Sequence, residues 1–321
     1  MPTRTSRISG ALQGQFIGDA LCLGSHWIYN LRERARLFPA GIEGFEPPAH
    51  DHYHKGRVPG DGTHYADAAQ ALLASVAERG GLDARDYGRR LVAVYGDPAF
   101  RGYLDKPTRI LLEREREWRR AHPGEAYAFD DGAADEQTVT HCRLAPVVIA
   151  HAQDADLAAR IEAAVRVCQN HDRAVAHALV YADLLRRALD GEALGAAVEA
   201  AVAAAPAPYA GEIAQRLDDA KAMIDLPAIH ATGEVGRSCY LPNTFPAMLH
   251  VLLRHGDDPE TALLESVRAG GDNASRTAVL GAWLGAFHGT DAWPATWWAR
   301  LTAAPRLEPL IDQLAERFGG D

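Results

Sequence analysis

The chain has 321 residues, a formal net charge of −10 and a hydrophobic content of 47%. That length suits one large domain or two ordinary ones, with enough apolar side chains to fill a sizeable core. The acidic balance, without any long block of Lys or Arg, argues against a nucleic-acid or anionic-membrane surface as the main role. Cys22, Cys142, Cys168 and Cys239 are scattered without a CxxC pair, so they read as small buried apolar residues. The N-terminus has two arginines but no sustained apolar segment. A cytoplasmic protein with no membrane span is therefore expected.

In chain order, the first helix is expected over Ser9 to Leu23, with Ile8, Leu12, Phe16 and Ala20 on one face. Gly14, Gly18 and Gly24 would weaken it in isolation, so tertiary packing must support it. His26 follows, and read alone it is a satisfied buried or edge histidine. Trp27, Ile28 and Tyr29 read as an aromatic wall or a core anchor. Leu31 to Pro59 has weak periodicity and is expected as a long loop, carrying His50, His52 and His54. Spacing alone is poor support for a metal site there. Thr63 is an expected N-cap for a helix whose apolar face is Ala68, Leu72, Leu73, Val76 and Ala77.

Helices are then expected over Leu82 to Tyr95, Thr108 to Arg119, Ala155 to Gln169, Arg173 to Leu189, Glu192 to Ala205 and Tyr209 to Asp225. Another is expected over Thr244 to Arg254, with Pro246 in its first turn. Further helices cover Pro259 to Ala269 and Leu307 to Phe318. The run from Gly270 to Gly289 organises the rest. Gly270 and Gly271 permit backbone angles closed to other residues, Asp272 or Asn273 suits an N-cap, and the helix beyond is rich in Ala and Gly. Many small residues in one helix imply close packing on several sides. A carboxylate and free amides at its entrance would suit an ion or phosphate; a capped core helix is the plain alternative. Strand alternation and internal repeats are missing, so the expected fold is all-α, one domain over residues 1–321.

GGDNASRTAVLGAWLGAFHG resembles the last motif of the ADP-ribosylglycohydrolase superfamily, GGDTDT followed by a small-residue helix. Gly270, Gly271 and Asp272 match, Ala274 stands for the second aspartate and Ser275 for the final threonine. GQFIGDALCLGSH resembles the opening motif GxxxGDALGxPxE: Gly14, Gly18, Asp19, Ala20 and Leu21 match, and His26 aligns with the glutamate implicated in catalysis. At the motif TDDTQ, Thr63 matches while His64 and Tyr65 replace two metal-binding aspartates. Asp67 lies beyond it and should point elsewhere. Arg101, Gly102, Tyr103 and Thr108 resemble the RGYG…T segment. Thr138 lies where a GNGxxMRxAP loop holds ADP-ribose, with Arg143, Ala145 and Pro146 matching. His171 is kept from a THxD helix start. The likeness runs from about Ser9 to Gly289, in family order.

The resemblance implies a compact multi-helix orthogonal bundle and, in relatives, two magnesium ions that bind substrate and water for hydrolysis at the ribose anomeric carbon. Magnesium wants about six oxygen ligands. With three aspartates and a glutamate replaced, the magnesium pair is not expected here. Carried-over metal candidates are Thr63, His64, Asp272 and Ser275, and catalytic candidates are His26, His64 and Asp272. Substrate-binding candidates are Asp19, Tyr65, Gly102, Tyr103, Thr138, His171 and Gly271. Three readings stay open. One is a divergent hydrolase of an N- or O-glycosidic bond in an ADP-ribosyl or related ribosyl compound, free or protein-linked, with histidine acid–base chemistry. A second is a single transition metal on His26, His64 and Asp272. The third is a non-catalytic nucleotide- or sugar-binding, or crystallin-like structural, protein. The sequence does not fix an oligomeric state.

Overall fold

A computed structural model describes residues 1–49 and 51–320; His50 lies outside the described residues. The helices in chain order are α1 (Arg4–Leu21), α2 (Leu31–Leu37), α3 (His64–Arg79), α4 (Ala84–Tyr95), α5 (Lys106–Ala121), α6 (Ala145–His151), α7 (Leu157–Arg166) and α8 (Asp172–Leu189). They continue as α9 (Leu194–Ala203), α10 (Ala210–Ala222), α11 (Ala228–Val235), α12 (Leu241–His255), α13 (Pro259–Arg268), α14 (Asn273–His288), α15 (Ala295–Arg300) and α16 (Ala304–Phe318). Among the described residues there is no strand, only isolated bridges such as Ile28 with Gly271. The expected all-α class holds.

The centre is the antiparallel pair α1 and α14. Gly10, Gly14 and Gly18 of α1 lie against Gly285, Gly281 and Thr277 of α14 respectively. A Cβ on Gly14 would fall 2.2 Å from the Gly281 carbonyl oxygen, and one on Gly281 would fall 2.0 Å from that of Gly14. The two backbones are therefore in direct contact, at a distance only glycine allows. Every residue of α14 from Asn273 to Ala286 is buried. This is the close packing on several sides that its Ala and Gly content implies. Side chains of Leu12, Phe16, Leu72, Leu280 and Trp283 join one apolar cluster around the pair.

Several boundaries differ from the sequence reading. α1 begins at Arg4, capped by the Thr3 hydroxyl. Its Arg7 is buried and donates to the carbonyls of Ala286 and Phe287 at the far end of α14. Within the expected loop 31–59, Asn30 caps a short helix, α2. Pro246 sits inside α12, which starts earlier at Leu241 with Pro242 in its first turn. α11 and α15 were not read from sequence, because at 8 and 6 residues they are too short to show a period. Thr63 caps α3 as expected, accepting from the Tyr65 amide.

Two buried histidines outside the candidate site bond backbone carbonyls of α8. His141 donates from Nε2 to the Ala174 carbonyl, and His177 from Nδ1 to that of Arg173. Burial pushes their pKa values down to about 3 and about 4, against about 6.5 in the unfolded chain. Between those limits the unfolded chain binds protons that the folded one refuses. Their contribution to stability is complete above about pH 6.5 and is lost as pH falls toward 4. Urea midpoints should drop from pH 7 to pH 5, and less steeply in a His141→Gln/His177→Gln variant; parallel declines would contradict this.

Gly281→Val should destabilise by about 3 kcal/mol or more, because neither backbone can retreat. Gly211→Ala, in open space on α10, should be neutral or stabilise by up to about 1 kcal/mol. Equal unfolding midpoints for the two variants would refute direct backbone contact.

Candidate active site

The α1–α14 pairing brings the C-terminal end of α1 beside the N-terminal end of α14, and the residues of the first and last motifs meet there. Gly270 and Gly271 turn the chain with φ of 74° and 70°. Gly271 exchanges hydrogen bonds with the 27–28 segment: its amide donates to the Ile28 carbonyl at 3.1 Å and its carbonyl accepts from the Trp27 amide at 2.8 Å. Trp27 adopts φ of 63°, a left-handed conformation costing on the order of 1–2 kcal/mol for a bulky residue. Its indole nitrogen is thereby aimed at Asp272, to which it donates at 3.1 Å. Arg276, fully buried, fastens the same turn through the carbonyls of Asp272, Gly270 and Ser266.

Asp272 occupies the N-cap position of α14, as the sequence reading offered, but its side chain accepts from none of the helix amides. Its oxygens accept instead from Trp27 Nε1, the Tyr65 hydroxyl at 3.0 Å and the Ser275 hydroxyl at 2.9 Å. Asp19 accepts from both the amide and the hydroxyl of Thr63, at 2.5 and 2.6 Å. Burial raises the Asp19 carboxyl pKa to about 7 against the lowering effect of those bonds. Thr63, Asp272 and Ser275 are thus engaged in separate internal pairs. Tyr65 replaces a would-be ligand with a hydrogen-bond donor.

His26 and His64 do come together, and the third partner is His54. The expected trio with Asp272 is corrected here: the donor atoms that lie within 4.8 Å of one another belong to His26, His54 and His64. All three are buried, at 0%, 2% and 2% exposure. His54 arrives on the 51–57 loop, which folds over His26. His52 Nδ1 accepts the His54 amide, so its proton is on Nε2 and donates to the His26 carbonyl at 2.6 Å. Arg57 anchors the same loop to Asp67 and the Gly62 carbonyl; Asp67 therefore points away from the cluster, as expected. Desolvation lowers the His26 pKa to about 4 and that of His54 to about 2, and holds His64 well below the usual value. All three rings are neutral near pH 7.

Trp27, Tyr53 and Tyr103 form an edge-to-face rim beside these rings, with centroids 4.7 to 5.6 Å apart. Next to the rim a cavity of about 380 Å³ is lined by Tyr53, His54, Lys55, Arg57, Arg101 and Gly102. A larger cavity of about 520 Å³ lies against α7 and α8, lined by residues such as Ala158, Leu179 and Asp183. It holds none of the motif residues, so the smaller one is the candidate entry. Thr138 and His171 stand apart from the imidazoles. Thr138 bonds Thr244 of α12 and the Cys239 carbonyl, and His171 caps α8 with Glu136 3.9 Å from its Nε2.

The magnesium pair implied by the sequence resemblance does not fit these residues. Its surviving oxygen donors are engaged in internal hydrogen bonds, and the buried groups left without partners are imidazoles, which suit borderline transition metals over hard magnesium. His54 was missed as a site residue because its approach depends on the fold of the 51–57 loop; its sequence signal was only a local run of histidines.

Asp272→Ala would leave the Trp27 indole, the Tyr65 hydroxyl and the Ser275 hydroxyl without their acceptor. The indole N–H, held in place by its ring, has no other partner to turn to. A loss of about 2–4 kcal/mol is expected in thermal or urea unfolding; an unchanged midpoint would mean these bonds do not hold the turn.

Comparison with known proteins agrees with this fold. A family model described as ADP-ribosylglycohydrolase matches residues 1–321. Crystallin J1A of Tripedalia cystophora is 25% identical, over 97% of this chain and 96% of its own. The uncharacterised protein YegU of Escherichia coli (strain K12) is 25% identical, over 95% and 94%. A solved structure described as an ADP-ribosylglycohydrolase-related protein complex superposes with a TM-score of 0.70 and 25% identity, covering 98% of this chain and 99% of that one. No helix among the described residues is long and apolar enough to cross a membrane. The chain belongs to the ADP-ribosylglycohydrolase family.

Proposed function

We propose that this protein hydrolyses an N- or O-glycosidic bond in an ADP-ribosyl or related ribosyl compound, either a small molecule or an ADP-ribosylated partner. The observation that carries this reading is the sequence of surfaces leading inward. Lys55 and Arg101 are exposed at the cationic cavity and suit a pyrophosphate. The Trp27–Tyr53–Tyr103 rim offers aromatic faces to a base or sugar, a contact worth about 1–3 kcal/mol per base. The neutral imidazoles lie beyond the rim.

Hydrolysis of such a bond puts a hydroxyl on the anomeric carbon and a proton on the departing nitrogen or oxygen. Neutral rings can orient and polarise the attacking water through their lone pairs. In this reading His26 and His64 act on the reacting atoms. Asp272, with its oxygens occupied, positions Tyr65 and Trp27. Asp19 positions Thr63 and so the first turn of α3.

Similarity to crystallin J1A over nearly the full length favours one other reading, a binding or structural protein without turnover. Incubation with arginine-, serine- and glutamate-linked ADP-ribose, followed by chromatography of released ADP-ribose, separates the two. Turnover is expected, falling about 100-fold or more in His26→Ala. ADP-ribose binding with no release from any linkage would overturn the hydrolase reading in favour of the second.

A further inference from the structure

Five ring nitrogens of the buried histidines have no hydrogen-bond partner: His26 Nε2, and both nitrogens of His54 and of His64. Buried polar atoms are rarely left so, and a neutral ring with no partner on either side is a costly arrangement unless something binds it. The two such rings, His54 and His64, and the half-partnered ring of His26 face one another, with centroids 5.5 to 5.9 Å apart.

The hydrogen bonds around His26 also fix which of its nitrogens is bare. Asn273 donates from Nδ2 to the Val267 carbonyl and the Ser25 hydroxyl, so its Oδ1 is the atom facing His26 Nδ1 at 3.2 Å. Nδ1 must then carry the proton, leaving a lone pair on Nε2. A longer approach of the Ala274 amide to Nδ1, at 3.4 Å, would require the other tautomer and would set the Asn273 oxygen against a lone pair. A ring whose outer N–H is held by an oxygen while its other nitrogen is bare has the usual form of a metal-binding histidine. Asp105 adds negative charge, its Oδ2 lying 3.8 Å from His64 Nε2.

We propose that His26, His54 and His64 bind one divalent transition-metal ion, of the zinc or cobalt class, in a three-imidazole site. Three neutral nitrogens select such ions over magnesium or calcium, and a three-histidine set leaves a further position open to water. Metal–nitrogen bonds of about 2.0–2.1 Å put tetrahedral ligands roughly 3.3 Å apart. The rings therefore need to close by at most about 1.5 Å, mostly by movement of His54 on its loop. This site shares its residues with the hydrolase reading but does not depend on turnover.

The test uses untagged full-length protein, stripped with a chelator and titrated with zinc and cobalt(II). Calorimetry should give about one zinc per chain, unaffected by excess magnesium, and cobalt should give the strong visible absorption of a low-coordinate nitrogen site. His26→Gln, His54→Gln and His64→Gln should each weaken zinc binding by more than about 100-fold, since even second-sphere losses cost 10–100-fold. His122→Gln, outside the cluster, should leave binding unchanged, and circular dichroism checks that each variant is folded. Absence of stoichiometric binding by the native chain, or binding insensitive to all three cluster substitutions, would overturn the proposal. Metal binding without glycosidic turnover would keep this site and sink the hydrolase reading; turnover by protein that cannot bind metal would do the reverse.

Discussion

Direct backbone contact between α1 and α14 is the constraint on which the rest depends. With Gly14 and Gly281 carbonyls where Cβ atoms would otherwise stand, the two helices have one workable register. That register decides that the end of α1, carrying Asp19 and leading to His26, meets the start of α14, carrying Asp272 and Ser275. A slip of one turn would separate Trp27 from Asp272 and Asn273 from His26. The precision of the site is therefore set one to three helical turns away, by side chains that are absent.

Around that junction the polar groups divide into two kinds. Some hold the frame. Asp19 ties α1 to the cap of α3, Arg276 and Asp272 fasten the glycine turn, and Tyr65 and Trp27 brace Asp272. Each of these has its partners inside the protein. The others are the rings of His54 and His64, without partners, and that of His26, whose Nε2 is bare while Asn273 holds its Nδ1. Frame and imidazole cluster are adjacent but chemically distinct: the oxygens of the one are engaged, and the bare nitrogens of the other are borderline donors. The 51–57 loop completes it, held down by His52 on the His26 carbonyl and by Arg57 on Asp67.

Much of this could be read from the residues. The all-α class, the central small-residue helix and the Thr63 cap follow from periodicity and capping chemistry, which act locally. The pairing of His26 with His64 followed from motif order. His54 did not, because its place depends on a loop held by contacts to segments distant in sequence. Asp272 does stand at the N-cap of α14, but its oxygens are taken by Trp27, Tyr65 and Ser275, and the first of these follows from a positive φ that local capping chemistry does not show. Pro246 looked like a helix start because Pro is favoured there, yet α12 begins at Leu241 and carries it in its interior. α11 and α15 are too short for any period to show.

The central claim is that the three imidazoles, and not the surviving oxygen donors, form the metal-binding end of this site. A crystal structure of zinc-loaded protein with data collected at the zinc edge tests it most directly. The expected result is one anomalous peak about 2.0–2.1 Å from a nitrogen of each of His26, His54 and His64. A peak among the oxygens of Thr63, Asp272 and Ser275, or none near the rings, would contradict the account.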